Sequence, residues 1–287
     1  GRHIYYDKKL VFSDRRDKMC HMFLGENIGL VCASRLSALG FDNILVTNKL
    51  VEMKFASHDT NSRLFPLRTF SELKKGAWNC NFTIQFLKTL PKYVNEDDWP
   101  SILEVGDYVL GILNSMKYRS RYHEHIKNDF PRIAVPKEES VFDEVASIGS
   151  EIRANQLERT PPSSDFGING EVAGDFATPK WSNESVAISK SCSISNVPKE
   201  LFDFTVAGYQ VCRTWASAGN KSGIQRKGAK LTEGMVTEYR RLLTQLRNLH
   251  RLRATVDEVI DQHGGWPDAF VTEPIELDDK ETQRPFG

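Results

Sequence analysis

Between Leu231 and Gln262 an apolar residue recurs at every seventh position: Met235, Leu242, Leu249 and Val256. Tyr239, Leu246 and Ile260 fill most of the companion row, and Arg253 interrupts it. This spacing puts one apolar stripe along a helix. It predicts a single long helix over about 231–262, ended by Gly264-Gly265. No other segment asks so much of the fold, because that stripe has to be covered along its whole length. The reading taken is a helix packed on its own domain. A coiled-coil partner is the alternative, since four heptads are the least that suggests one.

The period changes along the chain. Ile4-Tyr5-Tyr6, Leu10-Val11-Phe12, Ile28 to Cys32 and Ile44 to Thr47 are short β-prone runs divided by polar turns. Ala56 to Arg63 is polar and reads as a loop. Ile102, Val105, Val109, Ile112 and Met116 then recur at three- and four-residue spacing, which predicts a helix. Asp129-Phe130-Pro131-Arg132 breaks it. A second helix follows Pro136, with Glu138 and Glu139 in its first turn and Val141, Val145, Ile148 and Ile152 on its apolar face. Residues 159–180 read as loop with a hairpin. Val186 to Ile188 and Cys192 to Ile194 read as strands, and Val197 to Glu200 as the opening of a helical turn. The acidic stretch from Trp266 is expected to be poorly ordered. The fold class expected is α+β: a β-rich N-terminal part (1–100), a helical middle (101–158), a mixed loop and hairpin part (159–228), a long C-terminal helix (229–263) and an acidic tail (264–287).

Net charge is zero over 287 residues, but it is unevenly spread. Residues 1–90 hold 14 Lys and Arg against 8 Asp and Glu, and residues 91–160 hold 9 against 13. The first third is therefore the part suited to face a polyanion. The five cysteines are scattered, with no Cys-x-x-Cys pair, as suits a reduced cytoplasmic protein. Cys20-His21 is the only adjacency that hints at a metal ligand pair, and the spacing is wrong for a structural zinc. No run of 18 apolar residues exists, so no membrane span and no membrane partner is expected.

Catalytic motifs are missing. Gly219-Asn220-Lys221-Ser222 lacks the upstream glycine of a phosphate loop, and His123-Glu124-His125 spaces its histidines too closely for a zinc protease. There is no Asn/Asp-Pro-Pro-Tyr/Phe loop of the kind adenine methylation uses. Asp268 with Asp278-Asp279-Lys280 echoes a nuclease set, but it lies in the acidic tail and reads as solvated surface. No catalytic centre, no metal site and no bound cofactor is expected within this chain.

Three blocks carry a resemblance. Asp107-Tyr108-Val109-Leu110-Gly111-Ile112-Leu113-Asn114-Ser115-Met116-Lys117-Tyr118-Arg119-Ser120-Arg121-Tyr122 runs into Ile126-Lys127-Asn128-Asp129-Phe130-Pro131-Arg132-Ile133. Val197-Pro198 precedes Ala207-Gly208-Tyr209-Gln210-Val211-Cys212-Arg213-Thr214-Trp215. Weaker matches lie at Arg2 to Asp7, Asn27 to Val31 and Phe65-Pro66-Leu67. Together, in this order, they resemble the C-terminal specificity domain of type ISP restriction–modification enzymes. Two departures are Ala216 to Gly219, where that family turns basic, and Ala134-Val135 before Pro136. The opening block is cut at Gly1, as expected of a piece of a longer bacterial polypeptide.

The resemblance implies a target-recognition domain that binds double-stranded DNA for an upstream adenine-N6 methyltransferase domain, with or without cleavage. S-adenosylmethionine, and ATP with magnesium, would serve the full-length cytoplasmic enzyme and not this part. Polar side chains on β-rich elements can read base edges in a major groove, and cations beside them hold phosphates. The expected reading loop is Ser57, His58, Asp59, Asn61 and Arg63, with Arg35 and Asn43 nearby. Arg15, Arg16, Lys18 and Lys54 are the expected phosphate contacts. Arg119, Arg121 and Arg132 alternate with aromatics and are expected to be structural, as are Tyr209, Gln210 and Trp215. The rival readings are a protein-docking module built on the long helix and a stand-alone nuclease using the tail acids.

Overall fold

The computed structural model describes residues 19–33, 44–51, 61–71, 76–128, 131–215 and 227–272. Within them the chain is α+β, and it divides into two units, 1–157 with 253–287, and 158–252.

In the first unit three strands form an antiparallel sheet in the order β2-β1-β3, with β1 at Gly29–Ala33, β2 at Ile44–Thr47 and β3 at Ser62–Pro66. β1 is buried along its whole length, which suits the Gly-Leu-Val-Cys-Ala run as a central strand. Both expected strands at 28–32 and 44–47 form. Ser62 and Arg63, expected to lie in a loop, instead open β3, where Ala33 pairs with Ser62 and Cys32 with Arg63. Pairing with a central strand outweighs their polar side chains, as β preference depends on context. Ile4 to Tyr6 and Leu10 to Phe12 lie outside the described residues. A second small pair, β4 (Arg68–Phe70) with β5 (Trp78–Cys80), was not marked by periodicity.

Helix α1 (Ile84–Thr89) starts where the Thr83 hydroxyl accepts from the Phe86 amide at 3.3 Å. α2 (Trp99–Asn114) starts at Asp98, whose carboxylate accepts from the Ser101 amide at 3.0 Å. Asp98 is held below the usual carboxylate range by its bonds from the Ser101 hydroxyl and amide. α3 (Met116–Arg121) and α4 (His123–Asn128) follow, then α5 (Glu139–Leu157). α2 and α5 pack through glycines. A Cβ on Gly149 would lie 1.9 Å from the Asp107 carbonyl oxygen, and one on Gly111 would lie 2.7 Å from that of Val145. Asp107 and Arg153 lock the crossing with two bonds of 2.7 and 2.9 Å. Tyr108 stacks on Phe142 at 4.8 Å and donates its hydroxyl proton to the Ala134 carbonyl at 2.6 Å. Gln156, near the end of α5, accepts from the Val46 amide of β2 at 2.9 Å and so ties the sheet to the helices.

The second unit holds an antiparallel sheet, β6-β9-β8-β7, made of Ile168–Gly170, Cys192–Ser195, Ser185–Ala187 and Lys180–Ser182. Val186 and Ile194 are fully buried against Tyr239 and Leu243 in one core. The β7–β8 turn puts Asn183 and Glu184 at φ 48° and 53°. Two successive positive φ values match strand twist in a two-residue hairpin, but a glutamate is strained there. α6 (Lys199–Asp203) forms where a helical turn was expected. A small hairpin, β10 (Thr205–Val206) with β11 (Tyr209–Gln210), and α7 (Val211–Thr214) come next.

α8 (Glu233–Gln262) is the expected long helix. Its stripe is used internally: Leu246, Leu249, Val256 and Ile260 are buried. Arg253, which interrupts the row, is also buried, and its Nε donates to the Asn114 side-chain oxygen at 3.1 Å. Gly264 and Gly265, at φ 100° and 75°, end the helix as expected. The segment after them is not loose, contrary to expectation. Trp266 stacks on Phe270 at 4.0 Å, Phe270 is buried, and Val271 donates its amide to the Val135 carbonyl at 2.9 Å. Aromatic burial here outweighs the acidic composition, and residues 273–287 lie outside the described residues.

Gly149→Ala should cost about 1–3 kcal/mol in thermal unfolding, because a helix backbone cannot yield to the new methyl, although alanine is the better helix former by roughly 1 kcal/mol. Glu184→Gly should raise stability by up to about 1 kcal/mol by relieving the left-handed backbone; an unchanged melting temperature would show that Glu184 sits there without strain.

Candidate nucleic-acid interface

Three chain junctions meet at one end of the β2-β1-β3 sheet. Ala33, the last residue of β1, pairs with Ser62, the first of β3, and Cys32 pairs with Ile44, the first of β2. Segment 34–43, which carries Arg35 and Asn43, therefore leaves and rejoins the sheet at this end. Segment 52–60, which carries Lys54, Ser57, His58 and Asp59, enters the sheet there through Asn61. Antiparallel register alone brings these attachments together.

Of the expected reading residues, Asn61 and Arg63 fall within the described residues. Asn61 is exposed immediately before β3, and Arg63 is half-buried opposite Cys32. Cys32 is buried, and its thiol is pushed up to about 12, so it packs and does not react. Arg15, Arg16, Lys18, Arg35, Asn43, Lys54, Ser57, His58 and Asp59 lie outside the described residues.

The other end of the same strands is pinned by a buried asparagine. Asn27 donates to the carbonyls of His21 (3.0 Å) and Arg68 (2.8 Å), and its side-chain oxygen accepts from the amides of Ile28 (2.9 Å) and Arg68 (3.2 Å). Leu67 adds an amide bond to the Ile28 carbonyl at 2.8 Å. The extended run 62–70 thus lies along 27–33 and turns Arg68 toward a set of rings. Its guanidinium carbon sits 3.7 Å from the Trp99 ring centroid, 5.3 Å from Trp78 and 5.6 Å from Phe70. His21 accepts the Phe70 amide on Nδ1 at 3.0 Å, so this nitrogen serves the β4 backbone and not a metal. Among the described residues no group of three or more His, Cys, Asp or Glu side chains is placed to hold a metal ion.

In the arginine-rich block Arg119 serves the fold, whereas the side chains of Arg121 and Arg132 are exposed. Arg119 donates to the Leu113 carbonyl at 2.9 Å and the Asn114 side chain at 3.0 Å. Asp257 accepts from the Ser115 hydroxyl and from the Met116 amide at 3.0 Å, at the N-terminus of α3. Tyr118 is buried and donates to the Arg132 carbonyl at 2.6 Å. Trp215 packs edge-on against Phe176 and Tyr239, as core.

The family model described as the Type ISP C-terminal specificity domain matches residues 1–251. The chain belongs to this family. Solved structures agree on the fold of such a specificity domain. An ATP-dependent Type ISP restriction-modification enzyme, LlaBIII bound to DNA, matches with a TM-score of 0.56 at 18% identity, over 83% of this chain and 16% of that one. A nuclease-deletion mutant of the Type ISP enzyme LlaGI, in complex with a DNA substrate mimic, matches with a TM-score of 0.52 at 17% identity, over 83% and 18%. A DrdV–DNA complex matches with a TM-score of 0.58 at 16% identity, over 82% and 24%. The chain thus corresponds to under a quarter of the length of each. No curated protein matches it. No helix among the described residues is long and apolar enough to cross a membrane.

Sequence reasoning missed two elements of this specificity domain, the Asn27 clamp and the ring-held Arg68. Arg68 stands two residues before Phe70, and Trp78 stands ten residues on, so alternation of a cation with aromatics was the available signal. Asn27→Ala should lower stability by about 2–4 kcal/mol, since several buried backbone groups lose their partner at roughly 1 kcal/mol each; denaturant unfolding measures it, and a loss under 0.5 kcal/mol would mean water replaces the side chain.

Proposed function

We propose that the chain selects a specific duplex DNA sequence for an N6-adenine methyltransferase domain that precedes it in a longer bacterial polypeptide. The family match over residues 1–251 carries this reading. The convergence of three chain junctions at one sheet end supports it, because recognition loops are set most accurately on a rigid scaffold. In this reading Arg35, Asn43, Ser57, His58, Asp59, Asn61 and Arg63 address base edges, and Arg15, Arg16, Lys18 and Lys54 address phosphates. The chain itself carries no chemistry. S-adenosylmethionine would serve the methyltransferase, and ATP with magnesium any motor or nuclease, in the bacterial cytoplasm. The docking alternative loses its motive, because the heptad stripe of α8 is largely buried.

The test is selection of this chain on a randomised duplex pool at several salt concentrations. Enrichment of one motif, with affinity falling as salt rises, is the expected result. Unselective binding at every salt concentration would sink the reading. Arg63→Ala should then weaken discrimination at one base pair by about 1–3 kcal/mol and leave the others unchanged.

A further inference from the structure

Arg68 is held by three rings, where several other described arginines are held by oxygens. Arg119, Arg153, Arg241, Arg247 and Arg253 each spend their guanidinium on a carboxylate, an amide oxygen or a backbone carbonyl. Among the described residues the guanidinium of Arg68 makes one hydrogen bond, from Nη2 to the Glu26 carbonyl. Its Nε is buried without an acceptor. No carboxylate among the described residues forms an ion pair with it, although the charge of Glu26 acts on it from farther off. Three aromatic rings hold the cation from Trp99, Trp78 and Phe70. Trp99 and Trp78 themselves meet edge-to-face at 6.4 Å.

Rings that hold a guanidinium by its face leave its N–H edge aimed outward, and that edge matches a carboxylate or phosphate oxygen. Among the described residues Nη1 has no hydrogen-bond partner, and it is not among the fully buried atoms as Nε is. Burial presses the group toward losing its charge while Glu26 opposes this, so an external anion would be the natural complement. Arg68 also lies on the same extended run as Arg63, five residues on, no more than about 18 Å away. That is about five base-pair steps at roughly 3.4 Å each along one strand.

We propose that Arg68, held by Trp99, Trp78 and Phe70, is a fixed contact to a backbone phosphate of the duplex that the chain reads. The proposal rests on the DNA-reading role given above. The contact positions DNA and carries no sequence information.

The experiment measures affinity of the 287-residue chain for its selected duplex across a salt series, for the parent, Arg68→Met and Arg68→Lys. Methionine keeps an apolar body on Trp99 and removes the charge. The expected result is a slope of log K against log[salt] shallower by about 0.9 in Arg68→Met, weaker binding to every sequence alike, and an unchanged sequence ranking. Arg68→Lys should keep the parental slope. If Arg68→Met also lowers the melting temperature, the lysine variant decides. A parental slope in lysine with a shallower one in methionine upholds the contact, and equal slopes in all three proteins overturn it. A changed sequence ranking in Arg68→Met also overturns it, by making Arg68 a base reader. A parent chain that binds no DNA strikes the DNA-reading role itself, and this contact falls with it.

Discussion

The close crossing of α2 and α5 is the constraint on which the first unit rests. Two helices approach until backbone meets backbone, which Gly111 and Gly149 permit and any side chain there would prevent. Everything else is hung on α2. Its first residue, Trp99, is the ring under Arg68. Its middle carries the Asp107–Arg153 pair and the Tyr108–Phe142 stack. Its last residue, Asn114, takes both Arg119 and Arg253. α5 in turn reaches the β2 edge through Gln156.

This bracing also fixes the geometry of the small sheet. The β2-β1-β3 sheet is fixed at one end by Asn27 and from the side by α5. Its other end is where segments 34–43 and 52–60 attach. A pairing slip of one residue would move β3 to the wrong face of β1, and the exchange of bonds at Asn27 forbids it.

Much of the fold was legible because the periods are clean. Leu231 to Gln262, the helix after Pro136, and the runs at Ile28 and Ile44 each state their element through apolar spacing alone. Three things were not legible. Ser62 and Arg63 look like loop, and only a central strand partner makes them β. Trp266 to Phe270 looks like tail, and only aromatic stacking seats it. Arg253 looks like a flaw in a stripe until Asn114, far away in sequence, is seen to receive it. Each miss is a long-range contact overriding local composition. The family was legible in its motif blocks; the placing of Arg63 at a strand junction came from register, which no local pattern encodes.

The partnership between Asn114 and Arg253 has a consequence for how such a chain comes off the ribosome. The first unit is discontinuous: residues 158–252 are made between its two portions. Until Arg253, Asp257 and Trp266 have emerged, Asn114 lacks one of its guanidinium partners, the N-terminus of α3 lacks its carboxylate, and Tyr118 lacks the ring it packs on. The intervening unit, whose sheet and helix stripe are contiguous in sequence, is free to mature first. Contacts of such high sequence separation close late and slowly. A nascent chain stalled before residue 253 would therefore hold a finished second unit beside an open first one, with the surface meant for the later segment bare to chaperones.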